Sequence, residues 1–212
     1  MEKFLAALKT QRWDDHRYYH HSRINQSLHL LSALSFLSAY VLILLNHPAL
    51  AAWVAWMVAM VSRQSGHFFF EPKGYDHVNH ATHEHKEEIK VGYNLRRKVV
   101  LLAIWAVAPV ALAINPTLFG AFPPPTGLPD YLEHVGYVWF WIGVGGLAFR
   151  TVQLMIIKDP QTGIVWMSKI LTDPFHDVML YWRAPLALLR GELIDPMRDV
   201  LEHEGSPQAR DA

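Results

Sequence analysis

Leu28 to Leu45 reads LHLLSALSFLSAYVLILL, an unbroken apolar run with one histidine and no formal charge. A helix needs about 20 apolar residues to cross the hydrocarbon of a bilayer. Asn46-His47-Pro48 interrupts the run, and Ala49 to Val61 resumes it. Gly66 to Phe70 extends that second block across a polar notch at Ser62-Arg63-Gln64-Ser65. Two more blocks follow, Val99 to Ile114 and Val135 to Ile157, the last broken only by Arg150 and Gln153. Four helices apolar on every face leave no polar surface for water. The expected fold is therefore all-α: a polytopic membrane helical bundle with about four transmembrane helices and a cytoplasmic amphipathic helical C-terminal region.

The charges between the blocks give an independent reading. Lys and Arg total 19. They gather before Ile24, between Lys73 and Lys98, and from Lys158 onward, while Asn46–Pro48 and Asn115–His134 carry none. Basic residues accumulate on the cytoplasmic side of a membrane. The alternation predicts an integral membrane protein with both termini cytoplasmic. Asp and Glu also total 19, so the chain has no net basic footprint for nucleic acid. Cysteine is absent, which excludes disulfides, thiolate metal sites and cysteine nucleophiles.

The predicted organisation is a four-span membrane domain over 1–160, an amphipathic helical cap over 161–202 and a disordered tail over 203–212. No signal peptide is expected, because a polar, charged stretch precedes a first block longer than a secretory core. Residues 3–13 read as a short interfacial helix or a solvated tail. Asp159-Pro160, Asp173-Pro174 and Asp195-Pro196 each read as an N-cap followed by proline at the first helical position. From Pro174 on, Phe175, Val178, Met179 and Trp182 recur at helical spacing, with a bend expected at Pro185.

Histidine is the compositional anomaly, with 13 in the chain. His16, His20, His21 and His29 lie around the start of the first span. His67, His77, His80, His83 and His85 lie at or beyond the end of the second. Antiparallel spans bring these two places to one leaflet, the cytoplasmic one. Such a concentration points to a metal held by imidazole and carboxylate, with Zn, Cu, Ni or non-haem Fe as the suitable ions.

Helical spacing selects among them. His21, Asn25 and His29 share a stripe, which turns His20 away from His29. Both reach one metal only if the helix starts near Ser22 and the chain turns there. Asp76 is placed to cap a helix on which His77, His80 and Glu84 share a face, with His83 and Glu87 beside it. His80 and His83 are thus candidates to complete the coordination, and His85 points to solvent.

Tyr19-His20-His21-Ser22-Arg23-Ile24-Asn25-Gln26-Ser27-Leu28-His29 reads Y-H-H-x3-N-x3-H, and Gly66-His67-Phe68-Phe69-Phe70-Glu71 reads G-H-x-x-F-E. In this order they resemble the Mpo-type (yeast-type) membrane 2-hydroxy fatty acid dioxygenase family. The resemblance covers about residues 15–75. It implies a helical membrane enzyme that uses Fe(II) and O2 to shorten a 2-hydroxy fatty acid by one carbon, releasing CO2 (fatty acid alpha-oxidation). It also implies iron ligation by His20, His29 and His67, with Asn25 and Glu71 as accompanying polar positions. Departures are the short separation of the two motifs, the His77–His85 cluster and the C-terminal region.

On that reading Asn25 fixes a ring tautomer, and Glu71 is a ligand, a partner to a ligand or a helix-end surface residue. Arg63 and Lys73 are candidates to attract the substrate carboxylate, whereas Arg96-Arg97-Lys98 reads as topology-setting charge. Two rival readings share these residues. One is a membrane di-iron lipid hydroxylase or desaturase, which also gathers histidines at the cytoplasmic face. The other is a non-enzymatic membrane metal-binding or pH-sensing protein.

Overall fold

The computed structural model describes residues 2–71, 74–77, 79–89 and 95–197. Lys73 and the 203–212 tail lie outside them. Every apolar block is helical, and so are charged stretches outside them: α1 (Glu2–Tyr19), α2 (Arg23–Leu44), α3 (Pro48–Trp53), α4 (Val61–Ser65), α5 (His83–Ile89), α6 (Leu95–Ile114), α7 (Leu128–Ile157), α8 (Pro160–Tyr181) and α9 (Ala184–Leu189). α3 and α4 belong to one continuous rod from Pro48 to Phe70, whose Val54–Met60 and Gly66–Phe70 stretches are wound as π-helix. Among the described residues the β-type pairing is confined to two isolated antiparallel bridges, Ser22 with Ile194 and Asp76 with Ala81.

α2 and α7 are each long and apolar enough to cross a membrane, and Leu102–Ile114 forms a shorter apolar helix. Their surfaces differ from the core helix of a water-soluble domain. Only 28% of the apolar window of α2 and 17% of that of α7 is buried. Leu31, Leu34 and Val41 on α2, Val107 and Val110 on α6, and Trp141, Phe149 and Ile156 on α7 all face outward.

At the end of the bundle where α2 turns into α3, aromatic residues fasten the helices. Trp53, Trp56 and Trp105 pack around Ala52, Ala108, Leu112, Val135 and Trp139. The Trp53 indole donates to the Leu132 carbonyl (2.9 Å), Trp56 to Trp139 (3.0 Å) and Trp139 to Trp105 (2.9 Å). Each amphipathic ring thus buries its body and satisfies its N–H on backbone.

Several local expectations change. The N-terminal helix is longer than 3–13 and runs to Tyr19 because it has a partner: Arg12 binds Asp173 (3.2 Å) and Asp15 binds Lys169 (2.5 Å) of α8. Asp159 caps α8 as expected, accepting from the Thr162 amide at 2.9 Å. Asp173-Pro174, in contrast, lies inside α8. The Asp173 carboxylate is engaged by Arg12 and Lys169, so it does not start a new helix. Pro185 opens α9 rather than bending a longer helix. Asp195-Pro196 starts no helix through Met197; Leu193–Asp195 instead lies against His21–Arg23, with Arg23 N donating to Leu193 O (2.9 Å) and Asp195 N to His21 O (2.7 Å). α8 packs along α2 and against α7 and α1.

The expected helix from His77 is also replaced. Asp76 accepts from the Asn79 amide (3.1 Å) and pairs with Ala81, closing a turn. His80 has φ 48, a left-handed conformation in which a helix cannot continue. α5 therefore begins only at His83, and His77, His80 and Glu84 do not share a helical face.

Candidate metal centre

The junction of α1 and α2 resolves the conflict over His20. Ser22 is the N-cap of α2, with φ −80 and ψ 129, and its hydroxyl accepts from the Asn25 amide at 3.4 Å. The Asn25 side chain donates to Tyr19 O (2.8 Å) and the Gln26 side chain to His20 O (2.8 Å). Two amides from the first turn of α2 therefore hold the preceding turn in place. That folds His20 back over the helix it precedes, toward His29. Asp195 adds a brace from the far end of the chain, meeting Arg23 at 2.7 Å and Gln26 at 2.6 Å.

His67 arrives from the opposite helix. It sits in the π-helical Gly66–Phe70 stretch, and wide turns of this kind recur at functional sites. Gly66 is required by the approach of the two helices: a Cβ there would lie 2.1 Å from Asn25 Oδ1. Only a residue without a side chain lets the rod close onto α2 at this level.

The result is a cluster of three imidazoles. His20, His29 and His67 each present one ligand atom, all within 4.8 Å of one another. His20 is 3% and His29 0% exposed, and the His67 side chain 13%. The Nε2 atoms of His20 and His29 face each other at 3.2 Å. Two nitrogens bound at ~2.1 Å to one ion, at roughly right to tetrahedral angles, stand about 3.0–3.4 Å apart, so the spacing suits shared ligation.

Outer partners sit where a metal site wants them. His67 Nδ1–H donates to Glu71 Oε2 at 2.7 Å. His20 Nδ1 shares a 2.8 Å hydrogen bond with the Tyr181 hydroxyl, which also meets His16 Nδ1 at 3.2 Å. Asp177 Oδ2 lies 3.7 Å from His29 Nδ1 and 3.1 Å from Arg63 Nη1. Groups that engage Nδ1 fix the ring and leave Nε2 for a metal. Burial, and then the neighbouring His29 and His67, push His20 well below the usual histidine range. A neutral imidazole is the form a metal binds. Three imidazoles without thiolate can hold a metal ion, and this donor set suits Zn, Cu, Ni and non-haem Fe alike.

The other candidates divide cleanly. Glu71 is half-buried as a residue, with its side chain turned inward to His67 and 7% exposed. Asn25 is fully buried beside the cluster, but it binds Tyr19 O and holds the turn rather than a ring tautomer. Arg63 reaches the site, paired to Asp177. His80 is exposed and outside the cluster. His83 is half-buried and outside it as well. Sequence reasoning missed Asp177 and Tyr181. The signal was present: Lys169, Asp173, Asp177 and Tyr181 recur every fourth residue, one polar stripe along α8. Comparison of the chain with models of protein families, with curated proteins and with solved structures finds no match.

Proposed function

We propose that the protein is a four-span membrane enzyme, an Fe(II)-dependent dioxygenase that acts on a 2-hydroxy fatty acid at the cytoplasmic membrane interface. The observation that carries this reading is the convergence of His20, His29 and His67, the three histidines that match the motif resemblance, into one buried group. The reaction is R–CH(OH)–COOH + O2 → R–COOH + CO2 + H2O: the bond between the carboxyl carbon and its neighbour breaks, and oxygen is reduced. When bound, Fe(II) would supply a chelation point for the substrate carboxylate and hydroxyl and would activate O2.

The chain's own residues have definite parts. Glu71 and Tyr181 hold the rings of His67 and His20. Asp177 stands between His29 and Arg63. Arg63 is the cation in place to meet a carboxylate, once its contact with Asp177 is shared or exchanged. The outward apolar faces of α2, α6 and α7 support immersion in lipid, which would let a fatty tail stay in hydrocarbon while its head reaches the histidines.

Three gathered histidines favour a single iron over a di-iron centre, whose ligand sets are larger. The test is incubation of anaerobically purified, iron-loaded protein with 2-hydroxy palmitate and oxygen, followed by mass spectrometry. The expected product is the acid one carbon shorter, formed with consumption of oxygen and lost with His67→Ala. Unchanged substrate with fully loaded protein would overturn the proposal. Two irons per chain would favour a di-iron enzyme instead.

A further inference from the structure

α8 is built inside out. Its charged residues point into the protein: Lys169, Asp173 and Asp177 are 6%, 4% and 6% exposed. Lys169 Nζ is held between Asp15 (2.5 Å) and Asp173 (2.6 Å), Asp173 also binds Arg12, and Asp177 binds Arg63. The outer face is the reverse. From Ile164 to Leu180 the exposed positions are Ile164, Ile170, Leu171, Thr172, Phe175, Met179 and Leu180. Thr172, the polar one, donates its hydroxyl to Ser168 O at 2.5 Å and accepts from Arg12 Nη2 of α1 at 2.6 Å.

A helix bathed in water has its polar face outward. Here charges that could have been hydrated are buried in paired form, which is costly, and the apolar stripe is left outside. Ile164, Leu171, Phe175, Met179 and Trp182 line up at helical spacing along that stripe. Past its end the Arg183 guanidinium lies 4.6 Å over the Trp182 ring. Tryptophan and arginine are the pair of side chains that sit at the boundary between hydrocarbon and headgroups.

We propose that the outer face of α8 is a lipid-contact surface, so that this helix is seated in the bilayer although its charge content disqualifies it as a span. The occupant is lipid rather than a second protein because the stripe continues the outward apolar surface of α2 and α7, the helices on which α8 packs. Its exposed positions carry no charge to orient a protein partner. One face of α8 thus meets hydrocarbon while the other delivers Asp177 and Tyr181 to the histidines. The inference rests on the membrane reading above, and not on iron or on turnover.

The chain has no cysteine, so single cysteines can be introduced without further change. Leu171→Cys, Phe175→Cys and Met179→Cys report on the stripe, Leu34→Cys on the outward face of α2, and Lys9→Cys on the exposed side of α1. Each is spin-labelled in lipid nanodiscs, and relaxation by dissolved oxygen is compared with relaxation by a water-soluble nickel chelate. The expected ratio of oxygen to nickel effect is above unity at the three stripe positions and at Leu34, and below unity at Lys9. Ratios below unity on the stripe, with Leu34 still above it, would overturn this inference alone. Ratios below unity at Leu34 as well would overturn the membrane reading. Protection of the stripe from both reagents would mean a protein covers it, and would equally overturn the inference.

Discussion

Two groups of histidines flank the same end of the bundle, and only one of them forms a centre. His20, His29 and His67 come from three places in the chain, each fixed by helix geometry: a capped turn, the first turns of α2 and a π-helical stretch. His77, His80, His83 and His85 are closer together in sequence, yet they are spread over a turn and the start of α5, and three of the four are exposed. Proximity along the chain does not orient rings. Rigid elements that cross at one point do, and α8 brings Tyr181 to His20 Nδ1 and Asp177 near His29 at that same point. A histidine count alone would have favoured the wrong group.

The comparison can be broken most sharply by removing one imidazole from each group. His29→Ala should abolish metal loading and leave insertion intact, whereas His80→Ala should leave metal content unchanged; elemental analysis of both variants reads this directly. Next in size are the outer partners. Tyr181→Phe and Glu71→Gln each remove or weaken a hydrogen bond to Nδ1, and should weaken metal binding about 10–100-fold, read by competition with a chelator. His77→Ala, with no comparable role, should have no such effect.

Smaller effects test the scaffold that separates the groups. Gly66→Ala forces a Cβ against Asn25 and should destabilise the protein by about 1–3 kcal/mol, read by thermal unfolding in detergent. Ser22→Ala removes the N-cap that turns His20 back, and should cost about 1 kcal/mol in the same measurement. It should also weaken metal binding, since His20 depends on that turn.

Much of the fold was legible because apolar blocks carry their own signal: Leu28–Leu45 and Val135–Ile157 became α2 and α7 with little change. The site was legible in part. The mismatch between His20 and His29 on one straight helix pointed to a turn at Ser22, and the turn is there. α8 was legible as a helix and not as a part of the site. The spacing of Phe175, Val178, Met179 and Trp182 marks an amphipathic helix, but an apolar stripe does not say what the opposite face does. Asp177 and Tyr181 lie on the buried stripe with Lys169 and Asp173. The His77–His80 helix failed because a single side chain, Asp76, can cap a helix or close a turn, and local sequence does not choose between them. Nor did any residue pattern announce the π-helical stretch that aims His67.

The decisive measurement is the metal content of anaerobically purified protein, wild type beside His29→Ala, in lipid. One iron per chain in the wild type and none in the variant is the expected result. No bound metal in the wild type, or equal metal in both, would contradict a centre built from His20, His29 and His67.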